Sequence, residues 1–353
     1  MEEKMHVLIT GGSGFLGGHI VDSAINKGYR VRAIVRPSSN CNHLQSLGNN
    51  VEIFTGNMYE MEFLTTATKN IDAIIHCLAH VSDAGSWNLF YETNVMITSK
   101  LITAAKNNHV KRFIFISSPS VVSELKDQVN IDENYPYPRK FLNYYCETKA
   151  IAEQLVLKQN SEHFLTCALR PRGIWGPRDY AGFMPKILNK IKNGKLKNFS
   201  KKQNIYSSIC YVKNAAIACT SALSASKIGG KVYFITDEQP VNIWKFANRL
   251  TEEFSTPAIR GNFPKWLITF ALLIIEILWR VPYFRNNFSP PISRYSVGML
   301  TYTATYNISR AKRDLAYEPA LNLDEGLYQY KQWIESIGGL DNYLNNLSFG
   351  KLK

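Results

Sequence analysis

His6-Val7-Leu8-Ile9-Thr10-Gly11-Gly12-Ser13-Gly14-Phe15-Leu16-Gly17 is the stretch that decides the fold of this chain. Five residues that read as a strand run into glycines at 11, 14 and 17, and an amphipathic helical pattern, Phe15–Asn26, starts inside the glycine series. A sharp turn out of the strand, a close approach of backbone to a pyrophosphate and tight packing of the helix on the sheet each favour a residue without Cβ. The unpaired N–H groups at the start of the helix, with its dipole, suit a phosphate above the turn. Context makes the triplet informative: it follows a strand, precedes a helix and lies near the start of the chain.

Outward from the turn, Val31–Val35, Val51–Phe54, Ala73–Cys77, Phe113–Ile116 and Thr166–Leu169 are apolar runs rich in Val, Ile and Phe. They are continuous rather than alternating, as in a parallel sheet covered on both faces. Between them lie helical patterns at Trp87–Asn107 and Tyr144–Gln159. The alternation predicts an α/β fold with a doubly wound parallel sheet of the Rossmann type. After Pro171 the pattern loosens, with Lys231–Thr236 as the remaining clear strand. The expected division is a dinucleotide-binding domain over 1–175 and a smaller substrate-binding region over 176–353, partly interleaved with the first.

The end of the second strand bears on the cofactor. An NAD site places an acid there for the ribose 2′-hydroxyl. This chain has Val35-Arg36-Pro37-Ser38 and no acid nearby. Arg36 can meet a 2′-phosphate, with Arg32 or Ser38 assisting, so NADP(H) is expected and NAD is the other option.

Tyr145 and Lys149 stand four residues apart, on one face of a helix. A tyrosine with a pKa of about 10 is a poor acid–base group at neutral pH. A neighbouring ammonium favours the phenolate and is expected to bring that value down. Ser117, Ser118 and Ser120 place hydroxyls at the C-terminal end of a core strand, where open α/β sheets bind ligands.

These motifs resemble the extended short-chain dehydrogenase/reductase superfamily, in particular its 3β-hydroxysteroid dehydrogenase/isomerase branch. The resemblance runs nearly the full length. It takes in Asn94-Val95, Leu169-Arg-Pro-Arg-Gly-Ile-Trp-Gly-Pro177, Lys231-Val-Tyr-Phe-Ile-Thr-Asp237 and Ser309-Arg-Ala-Lys-Arg-Asp-Leu-Ala-Tyr317. Within the branch, Ser117–Val121, Arg170–Arg172 and Trp175-Gly-Pro look most like 2-alkyl-3-oxoalkanoate reductases, and next like sterol-4α-carboxylate 3-dehydrogenases. The resemblance implies Tyr145 as general acid/base and Lys149 as holder of the nicotinamide ribose. Ser118, with Ser117 second, would position the substrate oxygen. Gly11, Gly14, Phe15, Leu16, Gly17, Arg36, Asn57, Met58, Ala79, Asn94, Lys149 and Arg172 are the expected cofactor-facing set. Asn57 departs from the family, which has an acid there, so altered affinity for the adenine side is expected. Arg172 is also the candidate cation for a substrate carboxylate, against the plainer reading that it ties the C-terminal region to the sheet. A nucleotide-sugar epimerase or dehydratase, or a non-catalytic NADP-binding sensor, are the alternative functions.

The bulk numbers, 45% hydrophobic and 20% charged residues over 353, are those of an ordinary globular protein. The six cysteines form no CxxC pair, which reads as thiols in a reducing compartment and no metal site. No secretory leader is legible at Met1-Glu-Glu-Lys, so a cytoplasmic location is expected. The net charge is +13, and Tyr180–Thr236 holds ten Lys and no acid, with seven of the ten between Lys186 and Lys202. That is either a solvated face or a surface for anionic lipid, an acyl carrier or a phosphate-bearing substrate; no nucleic-acid motif accompanies it. Trp266–Trp279 is apolar but too short to span a bilayer, which needs about 20 residues. Lys265, Thr269, Glu276 and Arg280 fall on one stripe of it, leaving a buried helix, an interfacial helix or a channel lining open. The expected partners are a small hydrophobic substrate, carboxylated if the resemblance holds, with peripheral membrane contact and a homodimer as further options.

Overall fold

The strand–helix alternation is realised as one seven-stranded, all-parallel sheet. In the computed structural model, residues 4–82, 85–198, 204–259, 265–279, 281, 283–284 and 294–347 are described. The strands are β1 (His6–Thr10), β2 (Arg30–Val35), β3 (Val51–Thr55), β4 (Ala73–His76), β5 (Arg112–Ile116), β6 (Leu165–Pro171) and β7 (Lys231–Ile235), in spatial order β7-β6-β5-β4-β1-β2-β3. The chain winds outward from β1 to β3, then returns across β1 to β4. The reversal leaves a crevice between β1 and β4 at the C-terminal ends of the strands, the place where such sheets hold ligands.

Both faces of the sheet are covered. Val7, Leu8 and Ile9 of β1 are fully buried, as continuous apolar strands require. On one side α1 (Phe15–Asn26) packs with the helix Val212–Ser221; on the other lie the helices Met61–Ala67, Ile97–Asn107 and Tyr144–Lys158. The helix expected over Trp87–Asn107 is interrupted by a wider π-turn at Glu92–Met96, which carries Asn94. Such turns often sit at functional sites.

The edge strand β7 comes from the second half of the chain. Beyond the main sheet the fold is richer in strands than the sequence suggests. Ile174–Trp175 pairs with Cys210–Tyr211, and Val241–Asn242, Tyr206–Ser207, Ala304–Tyr306 and Gln128–Ile131 form a four-stranded sheet. Strands of two to four residues are too short to show a period.

Candidate active site

The glycine turn is built as its spacing requires. Gly11 has a φ of +71°, and its carbonyl oxygen accepts from the Gly14 N–H at 2.9 Å. A Cβ on Gly17 would collide with that same oxygen, and one on Gly11 would lie 3.1 Å from the Leu78 backbone nitrogen. Gly14 is the N-cap of α1 and caps it with no side chain, so the first N–H groups of the helix stay open toward the crevice. These features fit the pyrophosphate of a dinucleotide.

A buried hydrogen-bond chain ties this turn to the catalytic helix. Thr10 Oγ1 accepts from the Cys77 and Leu78 N–H groups, both at 3.1 Å, and donates to His76 Nδ1 at 2.7 Å. That leaves Nε2 of His76 to donate to Thr98 Oγ1 at 2.9 Å, and Thr98 donates to the Asn94 carbonyl at 2.7 Å. Burial lowers the His76 pKa to about 3, so the ring stays neutral. The Asn94 amide accepts from His80 N at 2.7 Å and donates to Thr148 Oγ1 at 3.1 Å. Asn94 therefore joins the loop 77–80 to the catalytic helix. No spacing signal marks His76, Thr98 or Thr148, because each acts through a partner distant in sequence.

Tyr145 and Lys149 share the helix Tyr144–Lys158, whose N-cap Asn143 accepts from Cys146 N at 2.9 Å. Ser118, two residues past β5, lies beside the Tyr145 hydroxyl, and its Oγ accepts from Ser120 N at 3.2 Å. The Ser117 hydroxyl beside it is buried without a hydrogen-bond partner among the described residues. The expected lowering of Tyr145 by Lys149 is not found. Burial pushes the Tyr145 hydroxyl above its ordinary value, and the neighbouring Ser118 hydroxyl only partly opposes this. Lys149 instead donates to the Ile116 carbonyl at 2.6 Å and lies 3.9 Å over the Phe115 ring, and burial lowers its own pKa to about 7. A protonated phenol, aligned by a serine with an ammonium one helical turn away, can give a proton to a carbonyl oxygen. Run backwards, it can take one from an alcohol.

Other expected residues are placed less uniformly. Arg36 is exposed at the end of β2, where its backbone N–H donates to Ser39 Oγ at 3.1 Å. Arg32, expected to assist it, is committed elsewhere: it holds Glu52 at 2.8 Å and the Ala67 carbonyl at 2.8 Å, because its register partner on β3 is that glutamate. Leu16 and Met58 bury their side chains in the core. Phe15 packs edge-on against His19 at 5.9 Å. Asn57 closes its own turn, accepting from Tyr59 N at 3.0 Å and donating to Glu60 at 2.8 Å. Ala79 lies in the loop whose Leu78 abuts Gly11.

Arg172 follows β6 and is 5% exposed; its backbone N–H donates to the Ile235 carbonyl at 3.1 Å. Its Nε has no hydrogen-bond partner among the described residues, its guanidinium lies by the Tyr295 hydroxyl, and it lines a cavity with Gln128, Leu142, Tyr295 and Tyr302. A second cleft, among Tyr206, Val241, Phe246, Arg249 and Leu323, contains none of the catalytic residues.

When bound, a nicotinamide dinucleotide supplies or accepts the hydride; the glycine turn, α1 and Lys149 are the groups that would hold it. The model of the 3-beta hydroxysteroid dehydrogenase/isomerase family matches residues 8–264. The chain is 32% identical to a 4-hydroxy-2-methyl-3-oxo-4-farnesyl-3,4-dihydroquinoline-1-oxide ketoreductase of Stigmatella aurantiaca, over 93% of this chain and 96% of that one. It is 31% identical to a 2-alkyl-3-oxoalkanoate reductase of Stenotrophomonas maltophilia, over 93% and 98% respectively. The human sterol-4-alpha-carboxylate 3-dehydrogenase, decarboxylating, is 30% identical over 90% and 85%. The fold is shared with the UDP-glucose 4-epimerase of Thermotoga maritima, with a TM-score of 0.73 at 19% identity over 94% of this chain and 99% of that one. The chain belongs to the 3-beta hydroxysteroid dehydrogenase/isomerase family and is an NAD(P)-dependent oxidoreductase acting on CH–OH groups.

Proposed function

We propose that the hydrophobic alcohol or ketone this enzyme interconverts is a β-hydroxy or β-keto acid, and that its cofactor is NADP(H). Tyr145 is the acid/base, Ser118 and Ser117 hold the substrate oxygen, Lys149 holds the ribose, and residues after 175 shape the apolar side of the pocket. One observation carries the carboxylate. Arg170 and Arg172 leave the same strand almost equally buried, yet Arg170 is met by the Glu153 carboxylate at 2.6 Å, while no ion pair meets Arg172 among the described residues. A buried cation costs several kcal/mol unless an anion meets it, and a substrate carboxylate is that anion. Two relatives are named for carboxylated substrates, a sterol-4-carboxylate and an oxoalkanoate. NADPH oxidation measured against long-chain 3-keto acids, sterols and UDP-sugars tests the reading. The keto acids are expected to turn over fastest, and turnover of UDP-sugars alone would overturn it.

The cofactor preference rests on Arg36, exposed where an NAD site would hold an acid. Arg36→Asp removes the cation and puts an acceptor in its place. A charge-assisted hydrogen bond contributes about 1.5–3 kcal/mol, so the ratio of NADPH to NADH affinity is expected to fall about 10- to 100-fold. Fluorescence titration of both cofactors reads it, and tighter NADH binding by the wild type would dispose of the assignment.

The apolar segment supports peripheral contact with a membrane. Its helix, Lys265–Leu278, leaves Phe270, Leu273, Ile274 and Ile277 between 41% and 57% exposed, at the spacing of one helical face. That exposure favours a surface-lying helix over a buried one. Arg280, and the side chains of Lys265, Thr269 and Glu276, lie outside the described residues. Fourteen residues reach about 21 Å, short of the ~30 Å hydrocarbon core, and no described helix is long and apolar enough to cross a membrane. A surface-lying helix agrees with the sequence around it. Arg260, Lys265, Arg280 and Arg285 flank it, and Glu276 is the one acid between Phe254 and Arg313. The helix Phe183–Lys192 and the residues after it add exposed Lys186, Lys190 and Lys195; Lys201 and Lys202 lie outside the described residues. Co-sedimentation with anionic vesicles is expected at low salt, falling as the Debye length shrinks toward ~8 Å. Leu273→Asp with Ile277→Asp should abolish it, and wild type that stays in the supernatant at low salt would refute it.

A further inference from the structure

Glu153 lies one helical turn beyond Lys149 and two beyond Tyr145, so the three side chains follow one another along the helix Tyr144–Lys158. It is fully buried. Its carboxylate accepts three hydrogen bonds: from Arg170 Nε at 2.9 Å, Arg170 Nη2 at 2.6 Å and the Tyr137 hydroxyl at 2.6 Å. The Arg170 guanidinium is held in turn over the Tyr137 and Phe234 rings, at 5.6 and 5.3 Å, and Phe234 is its register partner across β6 and β7. One carboxylate thus joins the catalytic helix, two strands of the sheet and the segment that leads into the helix. Replacing a buried pair of this kind by packed apolar residues is often neutral or favourable for stability, so stability alone gives no reason for its presence.

The surroundings of Lys149 supply the reason. Its ammonium donates to the Ile116 carbonyl and faces the Phe115 ring, neither of which is an anion. The titratable side chains that bear on it are His76 and Cys77 from the end of β4, and Glu153 from its own helix, with Tyr145 one turn back. Burial keeps the first two uncharged, lowering His76 to about 3 and raising the Cys77 thiol to about 12. Among the described residues, that leaves Glu153, one turn along the same helix, as the carboxylate whose charge bears on Lys149, without an ion pair between them.

We infer that Glu153 is a positioning residue for Lys149: anchored by Arg170 of β6 and by Tyr137 of the segment before the helix, it fixes the helical turn that carries the ammonium and supplies the negative charge that acts on it. The inference rests on Tyr145 and Lys149 being the catalytic pair, which Tyr145→Phe and Lys149→Ala test separately. If those two variants keep wild-type turnover, that reading has failed before Glu153 is examined.

Three variants test Glu153. Glu153→Gln keeps the shape and removes the charge. It is expected to lower kcat about tenfold with KM for substrate little changed. Because a lost negative neighbour lets Lys149 give up its proton more easily, the alkaline limb of the pH–rate profile should move to lower pH. Glu153→Leu with Arg170→Met removes the pair without stranding either charge. It should keep a wild-type melting temperature and bind dinucleotide by fluorescence titration, yet remain about tenfold slow. A folded double variant with wild-type kcat and an unmoved alkaline limb would show Glu153 to be a structural tie only and overturn the inference. Should both variants fail to fold, Tyr137→Phe decides. It removes one hydrogen bond and leaves both charges, and is expected to cost about two- to fivefold in kcat. An unchanged kcat and pH profile there would overturn the inference equally.

Discussion

Tyr145→Phe is expected to lower turnover at least ~100-fold while leaving dinucleotide affinity and the melting temperature close to wild type. The substitution deletes one oxygen. What that oxygen does in the resting protein is small: it lies beside the Ser118 hydroxyl, and even a full hydrogen bond there would be worth only about 1 kcal/mol net. Its role in the reaction is proton transfer, worth about 10²–10⁴ in rate, or roughly 3–5 kcal/mol of barrier. Lys149→Ala should differ in kind. It removes a buried ammonium that makes a 2.6 Å bond to the end of β5 and is the group placed to hold the ribose, so cofactor affinity and turnover should fall together. Stopped-flow turnover and fluorescence titration separate the two. Residual activity above about a tenth in Tyr145→Phe would remove Tyr145 from the proton-transfer role.

The direction of the pKa shifts gives this prediction a pH signature. Burial raises the Tyr145 hydroxyl, so the proton needed to reduce a ketone is present throughout the neutral range. Oxidation of the alcohol needs the phenolate, so its rate should climb as pH rises. Lys149, lowered to about 7, opposes that climb as it loses its charge above neutrality. Reduction should therefore hold its rate on the acid side of the profile and oxidation should peak on the alkaline side.

The parts of this molecule that sequence reasoning reached are those whose cause is local. The strand His6–Thr10 and the helix Phe15–Asn26 occur within the bounds their pattern suggests, because the glycine series between them leaves the backbone one way to turn. Tyr145 and Lys149 fall on one helix face by spacing alone. What was missed depends on partners far along the chain. Gln128–Ile131 becomes a strand through pairing with Ala304–Tyr306, and the π-turn at Asn94 serves contacts to His80 and Thr148. Arg32 looked like a cofactor ligand by its proximity to Arg36. Strand alternation and the register with Glu52 send its side chain to the sheet instead. The electrostatics misled for a related reason: a spacing of four says that two side chains are neighbours, not where their charged tips end. Lys149 ends at Ile116, so burial governs Tyr145. Glu153, four residues on, was legible by the same spacing rule but has no meaning until Arg170 appears beside it.

Arg172→Met is expected to raise KM for a β-keto acid about 10- to 100-fold while changing that for its methyl ester by no more than about threefold. Methionine keeps much of the length and apolar stem and deletes the charge, so the comparison isolates what the guanidinium does for a carboxylate. The ester presents the same chain and the same ketone without the anion. Stability should be spared, because no carboxylate pairs with Arg172 among the described residues and none is stranded when the cation goes. Arg170→Met makes the contrast two residues earlier. It would leave Glu153 buried without its partner, and losing one half of such a pair costs about 3–5 kcal/mol. The two arginines thus separate by phenotype: one variant folds well and loses discrimination between acid and ester, and the other loses stability. The plainer role for Arg172, tying the C-terminal region to the sheet through its contact with Ile235 and the cavity around Tyr295, predicts the opposite pattern. Under it, Arg172→Met would fall in melting temperature and lose equally on both substrates. Either result would withdraw the carboxylate from the proposed substrate and leave a hydrophobic ketone as the ligand that this pocket takes.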